Sequence, residues 1–189
     1  MHFPQILLGF VATVSAIDIY LHVGGGCGGN AVLCGNINPN TCCSGSGVDI
    51  FPTVGFRGIP YEWNLETRGH SGGGCNQLRE VQPARNTNFI CLYSGGFSGG
   101  GYGFAGRKRD ECASSGSCTS FQKPDTLLLE DGGKWNIADL EDAPLRQMLA
   151  KRPPPPSPYP SENFVLEIAA AGANSTDIPE EFNAYKITE

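Results

Sequence analysis

Short alternating apolar runs that break into glycine clusters recur in this chain, and that pattern confines it to β structure. They begin at Ile17 (IDIYLHVGGGCGG), Trp63 (WNLETRGHSGGGC) and Ile90 (ICLYSGGFSGGGYGFAG). In the first, Ile17, Ile19, Leu21 and Val23 fall on one side and Asp18, Tyr20 and His22 on the other, which is the period of a half-buried strand. Glycine weakens a helix by roughly 1 kcal/mol per residue relative to alanine, but it serves well at tight corners and bulges. We therefore expect one small β-hairpin unit used three times. Further strands are expected at Ala31 to Cys34, in VDIF from Val48 and in VGFRGI from Val54. Short strands with frequent turn signals point to a sandwich or partly closed barrel.

Eight cysteines then set the compartment. The segment from Phe3 is apolar, closes on Val14-Ser15-Ala16 and has the form of a secretory signal peptide, residues 1–16, with cleavage after Ala16. It is too short to span a bilayer, so no stable membrane anchor is expected. An even cysteine count behind such a leader is a disulfide framework made of Cys27, Cys34, Cys42, Cys43, Cys75, Cys91, Cys112 and Cys118. No CxxC pair or zinc-type Cys/His block occurs, so neither metal nor cofactor is expected. The vicinal Cys42 and Cys43 should reach different partners, because a bond between them would be strained. Cys112 and Cys118 enclose a Ser/Gly loop and are expected to pair; the other connections stay open.

Charge and glycine divide the chain. The net charge of -6 lies mostly beyond Phe104, since Asp18, Asp49, Glu62, Glu66 and Glu80 are nearly balanced by Arg57, Arg68, Arg79 and Arg85. No basic excess supports nucleic-acid binding. We divide the mature chain into a glycine/cysteine-rich β domain (17–106), a basic linker with a small disulfide loop (107–122), and an acidic C-terminal extension (123–189), α+β or irregular. Arg107-Lys108-Arg109 is a candidate processing site with cleavage after Arg109. In the extension, DTLLLEDGGKWNI reads as a hairpin and Pro144 to Arg152 as a short helix, followed by a proline spacer (153–160) and a strand in NFVLEIAA. Asn174-Ser175-Thr176 is an N-glycosylation acceptor.

The pattern Ile90-x-Leu92-Tyr93, Phe97-x-Gly99, Tyr102-x-Phe104 resembles the opening hairpin of a βγ-crystallin Greek key. The resemblance implies aromatics packed over a glycine of unusual backbone conformation, and a disulfide-stapled Greek-key sandwich. As a whole, residues 17–106 also resemble the small cysteine-rich secreted proteins of filamentous fungi. The calcium pattern of crystallin-type domains is not kept: Asn40 to Gly45 retains only part of it, and Asp110 to Ser115 stands in the wrong place. Calcium needs six to eight oxygens, and no metal site is carried over.

Catalytic motifs fail on order. Gly69-His70-Ser71-Gly72-Gly73 and Gly96-Phe97-Ser98-Gly99-Gly100 match a nucleophile elbow, but no histidine follows His70 to complete a hydrolase triad. His22, Asp49 and Ser71 have the trypsin order over far too short a span. A small secreted hydrolase or nuclease would have to use His22 or His70, and a histidine pair would need both. The stronger candidate surface is aromatic: Tyr61 and Trp63, two apart, share a face if extended, with Arg57, Arg68 and His70 completing a binding set. No catalytic residue is assigned. The function expected is non-enzymatic interaction with an extracellular protein or polysaccharide, either effector-like or toxin-like or by binding cell-wall polysaccharide.

Overall fold

The structure is a computed structural model of the chain and describes residues 16–44, 51–106, 118, 120–138, 174–178 and 180–188. The signal segment, VDIF up to Ile50, Arg107 to Arg109, Cys112, the helix from Pro144, the proline spacer and the NFVLEIAA strand lie outside these residues. What is described is mostly β, in two sheets.

Strands β1 (Ile17–His22), β2 (Ala31–Ile37), β4 (Thr53–Arg57), β7 (Phe89–Leu92), β10 (Thr126–Leu128) and β11 (Lys134–Asn136) form sheet A, in the order β11-β10-β2-β1-β4-β7. Sheet B is β6-β5-β8-β3-β9, built from β3 (Thr41–Ser44), β5 (Asn64–Ser71), β6 (Gln77–Arg85), β8 (Gly99–Phe104) and β9 (Ser120–Gln122). The alternation read in β1 holds: Ile17, Ile19 and Leu21 are buried and face Val54 and Phe56 of sheet A together with Leu65, Ala84 and Tyr102 of sheet B. Each such side chain contributes roughly 1.5–3 kcal/mol by leaving water. Tyr102 carries a hydroxyl into this core and satisfies it by donating to the Ile37 carbonyl at 2.8 Å.

Two of the three glycine units are hairpins, β1–β2 and β5–β6. The third is not. Ile90 to Gly106 leaves sheet A at β7 and enters sheet B as β8, so the resemblance to a crystallin hairpin fails at this segment. Phe97 makes the crossing by pairing with Phe51 through two backbone hydrogen bonds of 2.9 Å. Its ring then packs against Gly69, where a side chain would collide with it.

The β8 glycines belong to the middle of a sheet, between β5 and β3. A Cβ on Gly100 would sit 2.8 Å from Val54 and 3.1 Å from Ile19, so the opposite sheet approaches the bare backbone there. On the other side, a Cβ on Gly99 would meet the Cys43 carbonyl at 2.7 Å and the Cys75 sulfur at 3.1 Å. Alternate glycines thus leave room for a disulfide lying on the outer side of sheet B.

Cys42 and Cys43 do reach different partners. Successive strand residues point to opposite faces; Cys43 turns inward to Cys34 of β2 and ties the sheets together, while Cys42 turns outward to Cys75. Cys27 bonds Cys91 over 64 residues of sequence. Cys118 is disulfide-bonded, and its expected partner Cys112 is outside the described residues.

The hairpin around Asp131 forms as expected, with β10 pairing both β11 and β2. The first part of the extension therefore lengthens sheet A. Residues 174–178 and 180–188 seat against it: the Ile187 N–H donates to the Lys134 carbonyl at 2.8 Å, and the Lys186 ammonium lies over the Trp135 ring. Trp135 is wholly buried.

Candidate functional site

The five residues expected to form a binding set do not meet on one surface. Arg57 ends β4 on the outer side of sheet A, whereas Arg68 and His70 lie on β5 in sheet B. Tyr61 and Trp63 do not share a strand face, because the Trp63 N–H donates to the Pro60 carbonyl at 2.9 Å and makes Tyr61 part of a turn. Tyr61 is left exposed, while Trp63 is half-buried against Phe104 at the margin of the core.

His22 and His70 cannot form an acid-base pair. In β1 the core side is taken by Ile19 and Leu21, so His22 points away from sheet B; the turn that carries Cys27 covers it. In β5 the core side is taken by Leu65, while His70 pairs in register with Gly99, whose other face is the outer one. The two rings therefore sit on opposite outer sides of the sandwich. Both are buried; the Gly28 and Gly29 backbone lies beside the His22 ring, and among the described residues the His70 ring nitrogens have no hydrogen-bond partner. Burial, with Arg57 near one and Arg68 near the other, lowers each pKa to about 4. Both rings are neutral near pH 7.

The outer side of sheet A carries a different cluster. The Arg57 guanidinium carbon stands 5.0 Å from the Tyr20 ring centre and 4.9 Å from that of Phe89. Cross-strand pairing causes this: β4 lies between β1 and β7, with Arg57 directly opposite Phe89 on β7 and Asp18 on β1, and two pairs along from Tyr20, on the same side of the sheet. Arg57 also donates to the Cys27 carbonyl at 3.3 Å, which fixes the planar group without neutralising it. Among the described residues it has no ion pair; the exposed guanidinium is held by the two rings and the Cys27 carbonyl. Asp18 accepts from the Asn36 N–H at 3.0 Å, and Asp125 accepts from the Gly35 N–H at 2.8 Å, so both carboxylates are fixed beside Gly35. Burial raises the Tyr20 pKa, with Asp18 adding to the shift and Arg57 and Lys134 opposing it, which places these charges around one phenol.

Of the residues expected from sequence only Arg57 lies in this cluster; Tyr20, Phe89, Asp18, Asp125 and Lys134 were not among them. The polar side of the β1 alternation was the available signal for Tyr20 and Asp18. Nothing local placed β4 between β1 and β7.

Sheet B's outer side is a packing layer. The sulfurs of Cys42, Cys75 and Cys118 lie within 4.8 Å of one another. All three are oxidised in disulfides, so the cluster offers no thiolates for a metal. A Cβ on Gly103 would meet the Arg68 guanidinium at 3.1 Å, so that side chain lies down on the bare strand and pairs with Glu66 at 3.1 Å.

With the geometry in hand, comparison with known proteins adds family and compartment. The family model ARB_05566_N, an N-terminal domain, matches residues 18–125. That span begins in β1 and stops just before β10. An uncharacterized secreted protein of Arthroderma benhamiae is 26% identical over 193 aligned positions, covering 95% of this chain and 90% of the relative. No solved structure matches. No helix among the described residues is long and apolar enough to cross a membrane.

Proposed function

Because the chain belongs to the ARB_05566_N N-terminal-domain family and is secreted, we propose that it acts outside the cell as an interaction protein through the outer side of sheet A. The single observation that carries this reading is the exposed Arg57 guanidinium, held between Tyr20 and Phe89 with no carboxylate partner among the described residues. Arg and Tyr held rigid on a surface lose little side-chain entropy on binding, which is why they dominate interface energetics.

The ligand we favour is a neutral cell-wall polysaccharide. Asp18 and Asp125 are balanced locally by Arg57 and Lys134, so this face has no excess charge to select a polyanion or a polycation. It does offer fixed donors and acceptors beside an exposed aromatic edge at Phe89. Sugar hydroxyls and ring C–H groups match that mixture. An effector-like or toxin-like role would use the same surface on a protein target. The separation of His22 from His70 speaks against a hydrolase or nuclease built on a histidine pair. Within this proposal the sandwich keeps its Greek-key reading, supported by the hairpins β1–β2 and β5–β6, and cleavage after Ala16 would start the mature chain at β1.

The test is retention of the secreted protein on insoluble chitin and glucan. Wild type should bind one of them, and Arg57→Ala and Phe89→Ala should each weaken binding about ten-fold with unchanged circular dichroism. No retention on either polymer, or full retention by both variants, would overturn the polysaccharide assignment. Capture of a specific extracellular protein that is lost in Arg57→Ala would transfer the surface to a protein ligand.

A further inference from the structure

We propose that Asn174 carries an N-linked oligosaccharide and that it is attached before residues 174–178 and 180–188 seat against β11. The chain is secreted, and Asn174-Ser175-Thr176 supplies the acceptor amide with a hydroxyl two residues on. Asn174 and Thr176 are both exposed, so a bulky glycan at Nδ2 projects into solvent without displacing the core.

The order of events follows from how the acceptor is held after folding. The Asn174 N–H donates to an Asp177 carboxylate oxygen at 2.9 Å, and the Asp177 N–H donates back to the Asn174 carbonyl at 2.8 Å. The Ser175 N–H donates to Asp131 at 2.6 Å, tying the acceptor to the β10–β11 corner. Gly133 has no side chain, which lets the Ser175 hydroxyl come down close to it. A transferase must take the Asn amide and the Thr176 hydroxyl into its own groove. This turn cannot be so taken without breaking those bonds, so the released chain is the substrate.

In the reaction, Asn174 Nδ2 attacks the anomeric carbon of a polyprenyl-pyrophosphate-linked oligosaccharide. The carbon–oxygen bond to pyrophosphate breaks, the lipid pyrophosphate leaves, and the amide proton passes to a base of the transferase. The product sugar stands beside the corner of β11, a three-residue strand at the end of sheet A.

Intact mass of the protein secreted by a eukaryotic host tests the modification. We expect a hexose-containing adduct that a glycan-releasing amidase removes, leaving aspartate at position 174. The adduct should be absent from Asn174→Gln and Thr176→Ala and retained in Ser175→Ala. A secreted wild-type chain with the mass of bare polypeptide would overturn the assignment. For the order, a purified transferase with its lipid-linked donor should modify a peptide spanning 170–180 and leave the folded, unglycosylated protein unmodified. Equal rates on the two substrates would overturn it.

Discussion

His70 looks in sequence like a surface residue on a polar strand face, and the structure makes it one of the most deeply buried polar side chains. The difference arises from its neighbours: β8 presents Gly99 opposite it, and the Cys42–Cys75 bridge lies over that glycine. Burial lowers its pKa from 6.5 to about 4, and the same holds for His22. Between about pH 6.5 and 4 the unfolded chain therefore binds more protons than the folded one. Stability is full above that window and falls as pH falls through it, by on the order of 3 kcal/mol for each ring. Urea midpoints at pH 7 and pH 4.5 should show this loss, and His70→Gln should shrink the difference between the two pH values. An equal drop in wild type and variant would mean that His70 is already protonated in the folded chain. Arg57 was singled out in the sequence as a candidate, but its ring neighbours were not legible, because Tyr20 and Phe89 come from strands 30 or more residues away.

At the scale of single elements, alternation and glycine corners were enough to read β1, β2, β5 and the β10–β11 hairpin. They misread Ile90 to Gly106, since a strand that crosses to the facing sheet and one that turns back on itself carry the same local signals. The distinction lies in long-range packing, where each β8 glycine is matched to a specific bulky neighbour. Gly100→Ala should force Val54 and Ile19 apart and cost about 1–3 kcal/mol. Gly99→Val drives side-chain carbon into the Cys43 carbonyl and the Cys75 sulfur and should abolish secretion of native protein. Gly25→Ala provides the contrast: a Cβ there meets nothing within 4 Å, and its stability should change little. If Gly100→Ala were as stable as Gly25→Ala by urea denaturation, the two sheets would not be in contact at β8.

For the molecule as a whole, the change of composition after Phe104 suggested a separate acidic extension, yet the fold runs through it. Strand β9 pairs with β3, and β10 pairs with β2, so residues beyond the glycine-rich half complete both sheets. Residues 174–178 and 180–188 then lie against this hairpin, with Lys186 across the Trp135 ring. The energetic roles of these parts differ. The core between the sheets and the Cys34–Cys43 bridge do not involve the last segment, whereas the burial of Trp135 does. Truncation after Ala173 should therefore leave a folded, disulfide-bonded sandwich with an exposed indole at position 135. The measurement is tryptophan emission: a red shift on truncation, absent when the same truncation is made in Trp135→Phe, which retains only Trp63. Midpoint stability should fall by about 2 kcal/mol, the order expected for uncovering large apolar side chains. Unchanged emission with unchanged stability would show that 174–178 and 180–188 do not seat on β11 in solution, and would remove the reason for placing glycan transfer before docking.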